Sequence, residues 1–143
     1  MQYIIKPNVG TRFLAGLIDY TIIIVVNSLL IYMLGKPNVE GTYELNGWPV
    51  LILFAFWAFA TIGIEQLFGA TLGNGIVGLK PVQENFEKIK FNQSLKRHLL
   101  DPVDMFFFGL VGIIIIKNTP KNQRVGDIWA KTIVVDANQI TEE

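Results

Sequence analysis

The chain has no cysteine, a single histidine and few charges. Without cysteine there is no disulfide framework, no thiolate metal site and no thiol nucleophile, and the redox compartment stays open. One histidine, His98, is too little for a histidine-rich metal centre, and any hydrolytic nucleophile would have to share it. Charged residues make up 17% of the 143, against about a quarter in soluble domains. Net charge is zero, so bulk charge points neither to nucleic acid nor to an acidic substrate. More than half the chain is apolar, and the shortfall in charge points towards lipid. The length suits one domain. No internal repeat or low-complexity segment stands out.

What is present is long apolar runs. A bilayer core about 30 Å thick takes about 20 helical residues to cross. Residues 13–34 and 49–68 meet that length and are read as two transmembrane helices. The first follows Lys6 and Arg12, exceeds the apolar core of a signal peptide, and is expected to stay as an anchor. Trp48 and Pro49 open the second well, the indole at headgroup level and the proline in the first turn.

A third run, Met105–Ile116, is short for a span. With two crossings only, Lys6, Arg12 and the nine basic residues after Glu65 share one side, leaving Lys36 on the other. The positive-inside rule prefers this topology, with both termini cytoplasmic. Residues 78–91 read as a β-hairpin, GLKPVQ and KIKF around ENFE, and TIVVD (132–136) as a third strand. If all three pair in a small cytoplasmic sheet, residues 92–117 must return, as a re-entrant or interfacial helical segment bent near Pro102, Gly109 or Gly112. The alternative is a third tilted span that strands Asp101 and Asp104 in lipid. The last seven residues, ANQITEE, are expected to fray. The expected fold is thus a mainly α membrane protein with two spans, one re-entrant segment and a three-stranded sheet.

Several polar residues stand out against this background. Arg12 and Asp19 are two helical turns apart on one stripe, with Gly16 between them. An ionised aspartate at a helix centre costs about 2.5–3.5 kcal/mol on insertion scales, so Asp19 needs a partner from elsewhere in the fold. It either carries a proton or ion, or holds helices together. Glu65, at the far end of the second run, is read as an interfacial glutamate facing headgroups or pairing with Arg12; sharing a proton or cation with Asp19 is the alternative. The glycine-rich EQLFGATLGNGIVGLKPV lacks the GK[ST] ending of a phosphate loop, and tight turns explain its glycines better. His98, Asp101 and Asp104 are spaced by three, but Pro102 interrupts them, and solvated or interfacial side chains are expected rather than a metal site. In NQRVGDIWAKTIVV, with Arg124 upstream, Asp127 is placed to cap a turn or to pair with Arg12.

Three motifs now fall in order: Arg12 and Asp19 in the first run, GATLGNGIVGLKPV, and QRVGDIWAKTIVV with Asp127. Together they resemble the RDD family of small bacterial membrane proteins, named for one arginine and two aspartates, over residues 9 to 136. Asn74 stands where that family usually has lysine. The resemblance implies an inner-membrane protein, with sodium/proton exchange proposed for some relatives and accessory roles for others.

Two functions follow as expectations. One is a non-enzymatic accessory or scaffold subunit of a membrane complex. The other is ion or proton transport through an oligomer around Arg12, Asp19, Asp127 and Glu65, since two spans cannot enclose a path alone. No cofactor, metal or nucleic-acid partner is expected; the expected partners are lipid, further copies of the chain, or other membrane subunits.

Overall fold

Helix α1 spans Val9–Leu34, about 39 Å at 1.5 Å per residue, enough to cross a bilayer core. It begins four residues before the expected span, so Arg12 lies in its first turn rather than ahead of it. The computed structural model describes residues 8–105 and 109–137, and the backbone of Gln2–Tyr3 and Ile140–Thr141. Lys6, Phe106–Phe108 and part of the C-terminal tail lie outside the described residues.

Only Ala15 and Ile23 of α1 are buried. Leu17, Ile24 and Tyr32 are among the many large apolar side chains it leaves exposed, which a soluble surface does not tolerate in such number. Gly35 ends the helix, its N–H reaching back to the Ile31 carbonyl at 2.8 Å. A two-stranded turn follows, β2 (Lys36–Pro37) against β3 (Tyr43–Glu44). Asn38 closes it by accepting from the Glu40 and Thr42 amides at 3.0 Å each.

The second long helix is continuous from Trp48 to Phe68. A 3₁₀ turn containing Pro49 opens it, α2 (Leu51–Ala58) follows, a π-helical segment spans Phe59–Gly63, and α3 (Ile64–Phe68) completes it. No residue of α2 is buried, whereas Ala60, Thr61, Ile62 and Glu65 all are. Burial therefore begins at the π segment. Gly69, at φ +83°, terminates the helix in a left-handed conformation that suits glycine. Among the described residues, these two helices alone are long and apolar enough to cross a membrane.

Helix α4 (Leu72–Ile76) comes next, capped by the Thr71 hydroxyl, and then β4 (Leu79–Gln83). The expected three-stranded sheet does not form. Strand β4 pairs antiparallel with β5 (Thr132–Asp136) in the register Leu79↔Asp136 to Gln83↔Thr132. KIKF contributes only an isolated bridge, Val82↔Lys88. The reason is local: the Gln93 side chain accepts from the Lys90 amide at 2.9 Å, so a helix starts at Phe91 and takes the residues a third strand needs. Val82, Ile133 and Val135 form the apolar core of the pair. At the chain ends, Ile140–Thr141 (β6) is not frayed but pairs with Gln2–Tyr3 (β1).

The segment between β4 and β5 is broken into short helices: α5 (Phe91–Leu99), α6 (Asp101–Asp104), α7 (Leu110–Asn118) and α8 (Val125–Ala130). Gly109, at φ +84°, sits at the break before α7. Gly112 brings α7 back against α6, where a Cβ would lie 2.9 Å from the Asp104 carbonyl oxygen. Through these reversals the chain returns to set β5 beside β4.

Candidate functional site

Arg97 and His98 lie three and four residues after Ser94 and four and three before Asp101, so the four share a face. All four are buried, and that face of α5 looks onto the inner end of the second long helix. There Glu65 is fully buried. It accepts from the Ser94 hydroxyl at 2.5 Å and from Arg97 Nη1 at 3.0 Å. Arg97 turns its Nε to Asp127 Oδ1, 2.9 Å away on α8. Asp127 Oδ2 in turn lies 3.3 Å from Arg12 Nη1 on α1 and accepts from the Arg124 amide at 3.1 Å. The unbroken line Arg12–Asp127–Arg97–Glu65 therefore ties both long helices to α5 and α8. The close seat of α8 on α5 depends on Gly126, since a Cβ there would stand 2.6 Å from the Arg97 carbonyl oxygen.

Asp19 stands apart from this line. Its Oδ2 accepts from the Thr71 hydroxyl at 2.6 Å and its Oδ1 from the Gly73 amide at 2.7 Å. A carboxylate from α1 thus serves an amide in the first turn of α4, the role a helix cap plays within one segment. Gly73 permits the contact, because any Cβ would collide with the Ala15 carbonyl.

A third group surrounds His98. Its Nδ1 is 2.8 Å from Asp101 Oδ2, which also accepts from the Tyr20 hydroxyl at 3.0 Å. Its Nε2 is 3.4 Å from Glu65 Oε1, long for a hydrogen bond but within ion-pair reach. Arg124 Nη1 lies 3.4 Å from Asp101 Oδ1. Asp104 accepts from the Val125 and Gly126 amides at 3.1 and 3.4 Å, at the start of α8.

Burial alone would drive the His98 imidazole down, but Asp101 and Glu65 override it and hold its pKa at about 9. Burial would likewise raise Asp127, yet Arg97, Arg124 and Arg12 pull it to about 2. Asp101 is also lowered: His98 and Arg124 outweigh its burial. For Asp104 burial prevails over Arg124 and the two amides, and its pKa is raised. A cavity of about 40 Å³ lies among Arg12, Asp19, Tyr20, Thr61, His98 and Asp101, large enough for a water or a small ion. Among the described residues, no group of three or more metal-ligating side chains converges.

The sequence model of the RDD family matches residues 6–131, most of the chain. The chain belongs to the RDD family. No curated protein and no solved structure is detectably similar to it.

Of the three residues that the resemblance singles out, Arg12 and Asp127 are in contact, whereas Asp19 holds a different element. Glu65 does not face headgroups or Arg12, as expected; it is enclosed by Ser94, Arg97 and His98. His98, Asp101 and Asp104, expected to be solvated or interfacial, are 4%, 3% and 3% exposed. Pro102 does not scatter them, because the chain restarts as α6 immediately after Leu100. Arg97 was not among the expected residues, although it bridges Asp127 and Glu65. Nor were Thr71, Ser94 and Tyr20. The signal was there for α5: polar residues at 94, 97, 98 and 101 alternate with an apolar stripe at 91, 95 and 99. Asn74, where the resemblance leads one to expect lysine, donates from Nδ2 to the Thr71 hydroxyl at 3.0 Å and borders the cavity.

Proposed function

We propose that this RDD protein is a non-enzymatic accessory or scaffold subunit of a membrane assembly. On this reading its two long helices cross the inner membrane and both termini are cytoplasmic. The observation that carries the scaffold reading is that Arg12, Asp19, Glu65 and Asp127 each bind a partner on another element. Charges spent on holding helices together are poorly placed to bind and release an ion. The topology draws on the basic residues, concentrated beyond Glu65 and before Phe13. Purification of the tagged full chain in mild detergent, followed by native mass spectrometry, tests the role. A stoichiometric membrane-protein partner is the expected result; a clean monomer would overturn it. The cysteine-free sequence makes the topology easy to check. A thiol introduced by Val39→Cys should react with an impermeant maleimide from outside intact spheroplasts, and one introduced by Lys121→Cys should not.

The second reading is cation or proton transport through an oligomer, and the cavity between Arg12 and Asp19 favours it. Sodium- and pH-gradient flux in proteoliposomes decides. Flux in the parent that disappears in Asp19→Asn supports this reading, and equal flux in both removes Asp19 as the carrier.

A further inference from the structure

The outer surface where α5 meets α8 is built differently from the buried face. Gln93 joins the two helices by donating to the Ala130 carbonyl at 2.9 Å. Around that joint Lys88, Lys90 and Lys131 are exposed, and Lys96 places its ammonium 5.4 Å from the centroid of the half-exposed Trp129 ring. Ile128 is exposed beside it, and Phe91 and Leu99 are exposed along α5. Among the described residues none of these four lysines makes an ion pair, in contrast to Lys121, whose ammonium is 2.8 Å from Glu84. Buried Ser94 and Arg97 reach Glu65, three residues before the second long helix ends. The face of α5 behind the patch therefore packs against the last turns of that helix.

We propose that this lysine–tryptophan patch binds the headgroups of anionic phospholipids in the leaflet at which the second long helix ends, an inference that rests on the membrane reading above. Four lysines that form no salt bridge among the described residues match a negatively charged surface. A tryptophan with a lysine over its face suits the boundary where an apolar ring meets acyl chains and its polar edge meets water. The exposed Phe91 and Leu99 supply apolar contact from the same helix, while the lysine stems reach past it to the phosphates. Lys96 and Trp129 come from different helices, so a headgroup seated there also braces α5 against α8.

Native mass spectrometry of the full chain, released from micelles doped equally with phosphatidylglycerol and phosphatidylcholine, tests this. The parent should retain phosphatidylglycerol preferentially. The triple variant Lys88→Gln, Lys90→Gln, Lys96→Gln should lose that preference by about tenfold or more, while Lys117→Gln should keep it. Lys88, Lys90 and Lys117 are exposed and Lys96 is partly so; a thermal midpoint for the triple variant close to the parent's confirms that it is folded. Equal retention of both lipids by the parent, or an unchanged preference in the triple variant, overturns this proposal alone. Retention of neither lipid overturns the membrane reading and this proposal with it. Binding of a polyglutamate peptide that depends on the same lysines, with no lipid preference, reassigns the patch to an acidic protein segment and also overturns it.

Discussion

Arg97 Nε donates to Asp127 Oδ1 across 2.9 Å, with the arginine side chain 1% exposed and the aspartate wholly buried. Breaking a buried pair by removing one partner is far costlier than breaking a surface one, because the other charge is left stranded. Asp127→Asn removes the carboxylate paired with Arg12 and one of the two that hold Arg97. It should destabilise the protein by about 3–5 kcal/mol, read as a fall in the thermal midpoint in detergent. An unchanged midpoint would show that the line of charges does not hold the helices.

Arg97 and Arg12 are not equal partners of Asp127. Arg97 is closer and approaches through its Nε, whereas Arg12 stands at 3.3 Å and also leans on the Val134 carbonyl at 3.4 Å. Double-mutant cycles should give a coupling of about 0.5–3 kcal/mol for Arg97 with Asp127 and a smaller one for Arg12 with Asp127. Exchanging the charges of Arg12 and Asp127 should not restore stability, since an arginine at 127 would face Arg97. Full rescue by the exchange would contradict this arrangement.

Gly73→Ala places a methyl group against the Ala15 carbonyl and near the Asp19 carboxylate. The first turn of α4 must move, and the Asp19 bonds to Thr71 and Gly73 lengthen. A loss of about 1–3 kcal/mol is expected, as for other overpacked contacts. Gly75→Ala, with open space around its Cβ position, is the control and should be close to neutral in the same melt.

His98 gives the protein a dependence on alkaline pH. Its folded pKa of about 9 lies above the ordinary value of about 6.5, so the folded state holds its proton more tightly. The resulting stabilisation is fully present below about pH 6.5 and is lost as pH rises through about 9. Thermal midpoints measured across that range should decline, and His98→Gln should flatten the decline. Parallel pH profiles for parent and variant would rule the imidazolium out as the cause.

How legible all this was depends on what fixed each element. The two long helices are a matter of local composition, and any run as apolar as Thr21–Leu34 announces itself. The arginine and aspartates were visible because charge is rare in such surroundings. KIKF was misread because a strand propensity competed with a cap, and the Gln93 side chain decided it. The burial of Glu65, His98 and Asp101 was hidden for a different reason. A polar residue looks solvated until its partners are known, and these partners lie about 30 to 80 positions away in sequence or on the opposite side of a helical break. The site is made by tertiary contact, so only the helical spacing at 94, 97, 98 and 101 could have foretold it.

The π segment Phe59–Gly63 acts as a phase shift. One surplus residue in a helical turn rotates everything after it by about 100° about the axis. The outer portion of the second long helix can then obey an angular register set by its apolar surroundings, while Glu65 obeys another set by Arg97 and Ser94. Neither half has to compromise, and no kink is needed. Excising a single residue such as Ala60 would leave the hydropathy of the helix almost untouched, yet would swing the Glu65 carboxylate out of reach of its arginine.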